Sequence, residues 1–95
     1  MNVKLVRTTS GEDVICEVLS ETDDSVTFSN AIVAVPAGNG QIGFAPWSPL
    51  LSKDVKELRI DKKFVMYIAE AQDQIVTEYQ SMFSPIIAPS KKLAL

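Results

Sequence analysis

The sequence predicts a mainly β protein: a small, strongly bent barrel of five or six strands, followed by one C-terminal helix. Three observations carry this. Short runs of alternating apolar residues recur between Val3 and Ala69, each bounded by a polar, glycine or proline turn. The apolar period changes to that of a helix after Asp73. No charged residue occurs from Ser25 to Ser52, although charged residues make up 22% of the chain. At 95 residues there is room for one domain, spanning 1–95: barrel strands over 3–69, helix over 73–83 and an apolar tail over 84–95.

The first strand is Val3–Thr8, with Val3 and Leu5 on one side and Val6 on the other. Ser10-Gly11-Glu12 turns the chain, glycine supplying positive φ. On the second strand Val14, Cys16 and Val18 share one face, and Ile15, Glu17 and Leu19 the other. Both faces are largely apolar, which suits a bent sheet packed on two sides. Glu21–Asp24 is a polar turn. In the strand Ser25–Val35, Val26, Phe28, Asn30 and Ile32 alternate with Thr27, Ser29 and Ala31. The turn Pro-Ala-Gly-Asn-Gly leads into Gln41–Trp47, where Ile42 and Phe44 continue the pattern. Pro46 and Pro49 then break the pairing. Lys56, Leu58 and Ile60 alternate with Glu57 and Arg59. Asp61-Lys62-Lys63 is a tight turn and Phe64–Ala69 a last strand. Ile75, Val76, Tyr79, Met82 and Phe83 fall at helical spacing, with Asp73 at the helix start and Pro85 at its end.

Composition excludes much chemistry. Without histidine there is neither the commonest general base nor the commonest metal ligand, and no Ser-His or Cys-His nucleophile. Cys16 reads as a small buried hydrophobe. The acidic pairs Glu12-Asp13 and Asp23-Asp24 read as solvated turn residues. Gly38–Gly43 lacks the following helix that a phosphate-binding loop needs. The expectation is a protein that is not an enzyme and uses no cofactor or metal. A single cysteine precludes an internal disulfide and fits a reducing compartment; no leader or lipidation signal is evident, so a cytoplasmic location is expected. The prolines and glycines between residues 36 and 49 argue against a membrane span.

Two blocks carry a family resemblance. Leu5–Ala31 runs strand, glycine turn, strand, acidic turn, strand ending in Asn30-Ala31. Ile60–Ile68 runs Ile-Asp-Lys-Lys-Phe-Val-Met-Tyr-Ile. In order and spacing they resemble the two motifs of Sm-like (LSm/Hfq-type) proteins. Asp61-Lys62 stands where the family usually turns through Arg-Gly. The helix follows the strands rather than preceding them, and Pro36–Lys53 is long for its loop. Gln80–Pro85 and Phe44–Trp47 resemble a divergent Sm-like group of marine bacteriophages. The resemblance implies a bent barrel whose edge strands pair between subunits to close a homo-oligomeric ring. It also implies that single-stranded RNA or DNA is held at two loops, here Thr22–Val26 and Asp61–Lys63.

The nucleic-acid-binding candidates are Lys62, Lys63, Arg59 and Lys56, whose charges would repeat around a ring, with Thr27 and Asn30 as polar contacts. The same lysines also read as solvated edge residues that prevent aggregation. The subunit-interface candidates are Phe44 and Trp47, in the charge-free stretch, and Val65 and Tyr67, on the last strand. Trp47 is the expected anchor. The other reading is a structural or adaptor ring that binds protein and no nucleic acid, supported by the uncharged stretch and the apolar tail.

Overall fold

The structure, a computed structural model, describes residues 1–83; the expected apolar tail 84–95 lies outside the described residues. Among the described residues there are six strands: β1 (Val3–Thr8), β2 (Asp13–Glu21), β3 (Ser25–Pro36), β4 (Ile42–Pro46), β5 (Leu58–Asp61) and β6 (Val65–Ala69). The helix α1 (Asp73–Phe83) follows. All pair antiparallel in the order β4-β3-β2-β1-β6, and β5 shares the outer side of β3 with β4. The sheet is unclosed: among the described residues no ladder joins β6 to β5 or β4. Lys56 and Glu57 precede β5 rather than belonging to it. Phe64 ends a single 3-10 turn, Lys62–Phe64, instead of starting β6.

The turns form where residues tolerate positive φ. Gly11 (φ 94°) closes the β1–β2 connection with its N–H on the Thr8 carbonyl at 3.0 Å. In the β3–β4 hairpin Asn39 (φ 53°) and Gly40 (φ 75°) are the two central residues, and the Gln41 N–H donates to the Gly38 carbonyl at 2.9 Å. Asn-Gly with both φ values positive makes the turn whose twist matches that of paired strands.

Three bulges bend the sheet. Between the pairs Val18↔Phe28 and Ser20↔Thr27, β2 has one extra residue, Leu19. Between Ile15↔Ile32 and Glu17↔Ser29, the extra residue is in β3, at Asn30-Ala31. Between Arg7↔Tyr67 and Thr8↔Val65 it is Met66 of β6. Because side chains alternate with a period of two, each insertion shifts the residues beyond it to the opposite face. The simple alternation expected for β3 therefore fails at Asn30. Val26 and Phe28 lie in one core layer, and Ala31 and Val33 rejoin it after the bulge, while Ile32 lies in the other. Likewise Leu19 does not continue the face of Ile15; it is 45% exposed, and Met66 is 63% exposed.

Both faces of the bent sheet are covered, as the two apolar faces of β2 require. The inner layer is Val6, Val14, Cys16, Val18, Val26 and Phe28, with Trp47, Leu58, Ile60, Val65 and Ile68 packed around it. The outer layer is Val3, Ile15, Ile32 and Tyr79, with Leu5, Phe44, Ile75, Val76 and Phe83. The helix thus lays Ile75, Val76, Tyr79 and Phe83 on the sheet. Met82, placed on that stripe by its spacing, is instead 47% exposed, because the contact is narrower than five residues. Tyr79 is completely buried, and its hydroxyl donates toward the Asn30 carbonyl at 2.9 Å and the Ser29 carbonyl at 3.2 Å. The helix is thereby tied to the bulge that deforms β3.

Candidate nucleic-acid interface

The two turns that the family resemblance implies as strand-holding loops lie side by side. Ser25 of β3 is opposite Asp61 of β5, and Thr27 opposite Arg59, so the ladder brings both strand ends to one rim of the sheet. The Lys62 N–H donates to the Asp24 carbonyl at 2.8 Å and fastens one turn to the other. Each turn is also pinned from within. The Asp61 carboxylate accepts from the Lys63 N–H at 2.9 Å and caps the 3-10 turn, while the Thr22 hydroxyl accepts from the Ser25 N–H at 3.0 Å. Lys62, Lys63, Arg59 and Thr27 are brought together here.

The electrostatics of this rim are mixed. The Lys62 ammonium lies 2.6 Å from the Glu21 carboxylate, and the Lys63 ammonium lies 5.3 Å from the centre of the Phe64 ring. Glu21, Asp23, Asp24 and Asp61 give four acids against the three bases Arg59, Lys62 and Lys63, a local balance of one negative charge. The ion pairs among the described residues use Lys4 with Glu70, Arg7 with Asp13 and Lys62 with Glu21; none uses Lys53, Lys56 or Arg59.

Lys56 and Asn30, the other two nucleic-acid candidates, lie elsewhere. Both line an open groove of about 640 Å³, bounded by the Asn30 bulge and the loop that joins β4 to β5. That loop starts where the Trp47 N–H donates to the Ala31 carbonyl at 3.0 Å, which occupies part of the β3 edge left between β4 and β5. Leu19, Leu51 and Val55 form apolar walls, 45%, 39% and 41% exposed, and Lys53 lies on the lining beside Lys56. Sequence reasoning missed Leu19, Lys53, Leu51 and Val55 as members of one site. The available signal was the resumption of charge at Lys53 directly after an apolar run; nothing local marks the bulge that brings Leu19 into the same groove.

The interface candidates separate into two kinds. Phe44 packs in the outer layer beneath the helix, and Trp47 covers the inner layer, its ring 5.7 Å from that of Phe28. The Trp47 indole N–H donates to the Glu12 carboxylate at 3.1 Å. Val65 is half-buried against the inner layer, while Tyr67 is 47% exposed on a strand whose outer edge has no partner among the described residues. Cys16 is fully buried, and desolvation pushes its thiol up to about 12, so it offers no nucleophile at neutral pH. No helix among the described residues is long and apolar enough to cross a membrane. No protein-family model matches the chain, and no curated protein matches it.

Proposed function

We propose that the chain is a ring-forming, Sm-like barrel module that binds single-stranded nucleic acid in the cytoplasm. The observation that carries this reading is the fastening of the Thr22–Ser25 turn to the Asp61–Lys63 turn, between two outer strand edges, of β5 and β6, that lack partners among the described residues. Unpaired edges are a template for another chain, and head-to-tail pairing of one edge with the other closes a ring when the rotation fits. Ring closure would repeat Arg59 and Lys63 once per subunit and convert a weak patch into a continuous electrostatic track. Exposed Tyr67 and Met66 on β6 supply apolar contact at the join.

A second reading, an adaptor ring that binds protein alone, is favoured by the excess of acid around the paired turns. Sedimentation over a concentration series, with fluorescence anisotropy on labelled U-rich and A-rich single strands, separates the two. The expected outcome is a discrete oligomer of the 10.4 kDa subunit that binds strands at low salt and releases them as salt rises. An oligomer without strand binding at low salt selects the adaptor. A monomer at every concentration overturns both.

A further inference from the structure

We propose that the groove beside the Asn30 bulge holds a nucleotide unit of the bound strand, the base against Leu19, Leu51 and Val55 and its phosphates at Lys53 and Lys56. This assignment rests on the strand-binding reading and moves the main contact away from the paired turns. Charge decides between the two places. The turns carry four acids and three bases, and Lys62 is already paired with Glu21 at 2.6 Å. The groove lining carries Lys53 and Lys56 against Glu57 alone, and neither lysine forms an ion pair among the described residues. On the groove lining a phosphate meets two lysines and one acid, Asp54 of the same loop lying off the lining, whereas at the turns it meets a net negative charge.

Shape and chemistry agree with charge. A volume of about 640 Å³ lies in the range of small-molecule sites, which combine apolar walls with a few placed polar groups. A nucleobase has an apolar face and a polar edge. The walls match the face, and Asn30, whose amide both donates and accepts, matches the edge. Asn30 is exposed because its φ of 52° takes it out of the strand alternation, and Leu19 is exposed because it is a bulge residue. Two irregularities of one strand pair, β2 and β3, thus supply two parts of one lining.

Trp47, the only tryptophan of the chain, lines the same groove and reports occupancy by its fluorescence. With the full-length protein, titration of unlabelled single strands is expected to change Trp47 emission in parallel with the anisotropy of a labelled strand. Lys53→Glu with Lys56→Glu should weaken binding at least tenfold and lower the salt slope by roughly 1.4, at about 0.7 per lost phosphate contact. Lys62→Glu with Lys63→Glu should weaken it less. Strand binding that leaves Trp47 emission unchanged and survives the Lys53/Lys56 replacements within about twofold overturns the groove while leaving strand binding in place. Absence of strand binding in the wild-type protein at low salt overturns both. Matched RNA and DNA strands, run in parallel, show which sugar the groove accepts.

Discussion

Tyr79 shows how one hydroxyl couples two elements. The Ser29 and Asn30 carbonyls lie at the bulge of β3, and a carbonyl partly shielded from water is costly to leave without a donor. The phenol, fully buried between helix and sheet, supplies the donor. Tyr79→Phe keeps the ring and its contact with Phe83, 4.7 Å between centroids, but removes that donor. The expected loss is about 2 kcal/mol, a fall in Tm of roughly 10 °C for a domain of this size, read by thermal melting in circular dichroism. Tyr67→Phe, on the exposed strand β6, should leave Tm unchanged and serves as the control. Tyr79 was legible in the sequence as a helix-face residue. Its two carbonyl partners, 49 and 50 positions away, were not.

At the level of elements, the loop between β4 and β5 is anchored by its first residue. Trp47 is held by its backbone on Ala31, by its indole N–H on Glu12 and by its ring against Phe28. It is therefore a lid on the subunit's own inner layer, and its loss opens that layer to water. Trp47→Ala is expected to destabilise the subunit by about 2–3 kcal/mol, below the usual cost of a fully buried aromatic because the ring is only half-buried. Urea unfolding at low protein concentration measures this free of assembly. Unchanged subunit stability with a smaller sedimenting species would instead make Trp47 an interface anchor. The charge-free stretch made Trp47 conspicuous. Whether it packs inward or outward depends on the bulge, which returns Ala31 and Val33 to the inner layer beside it.

For the whole molecule, the two core layers share a response to alkali. Burial raises the Cys16 thiol from its ordinary value of 9.0 to about 12, and burial first among several causes raises the Tyr79 phenol as well. Both groups are neutral when protonated, so above the unfolded pKa the unfolded chain binds fewer protons than the folded one. Stability then falls as pH rises. The contribution of Cys16 is complete below about pH 9 and lost on approach to pH 12, a change of about 4 kcal/mol. Tyr79 adds to it only above about pH 10. Urea midpoints measured from pH 7 to 11 should be flat up to about pH 9 and then fall. Cys16→Val should flatten the first part of that fall, and a midpoint constant to the alkaline end of the series would contradict the burial of both groups.

The sequence by itself determined the class of this protein: period-two runs, Asn-Gly and Gly turns, two apolar faces on β2 and one helix over 73–83 all follow from local rules of backbone sterics and apolar burial. That Thr22–Val26 and Asp61–Lys63 belong together was implied only by the resemblance to Sm-like motifs; the pairing of β3 with β5 is what puts them at one rim. Only the tertiary structure decided which side chains share a site. Leu19, Asn30 and Met66 leave their expected positions because the sheet bends at them, and bending is the summed result of packing two layers at once rather than a property of any one strand. Lys56 and Asn30 are consequently separated from Lys62 and Lys63 and joined to Lys53, Leu51 and Val55 in the groove. A residue's type was written in the chain; its face was set by an insertion that only the paired strand reveals.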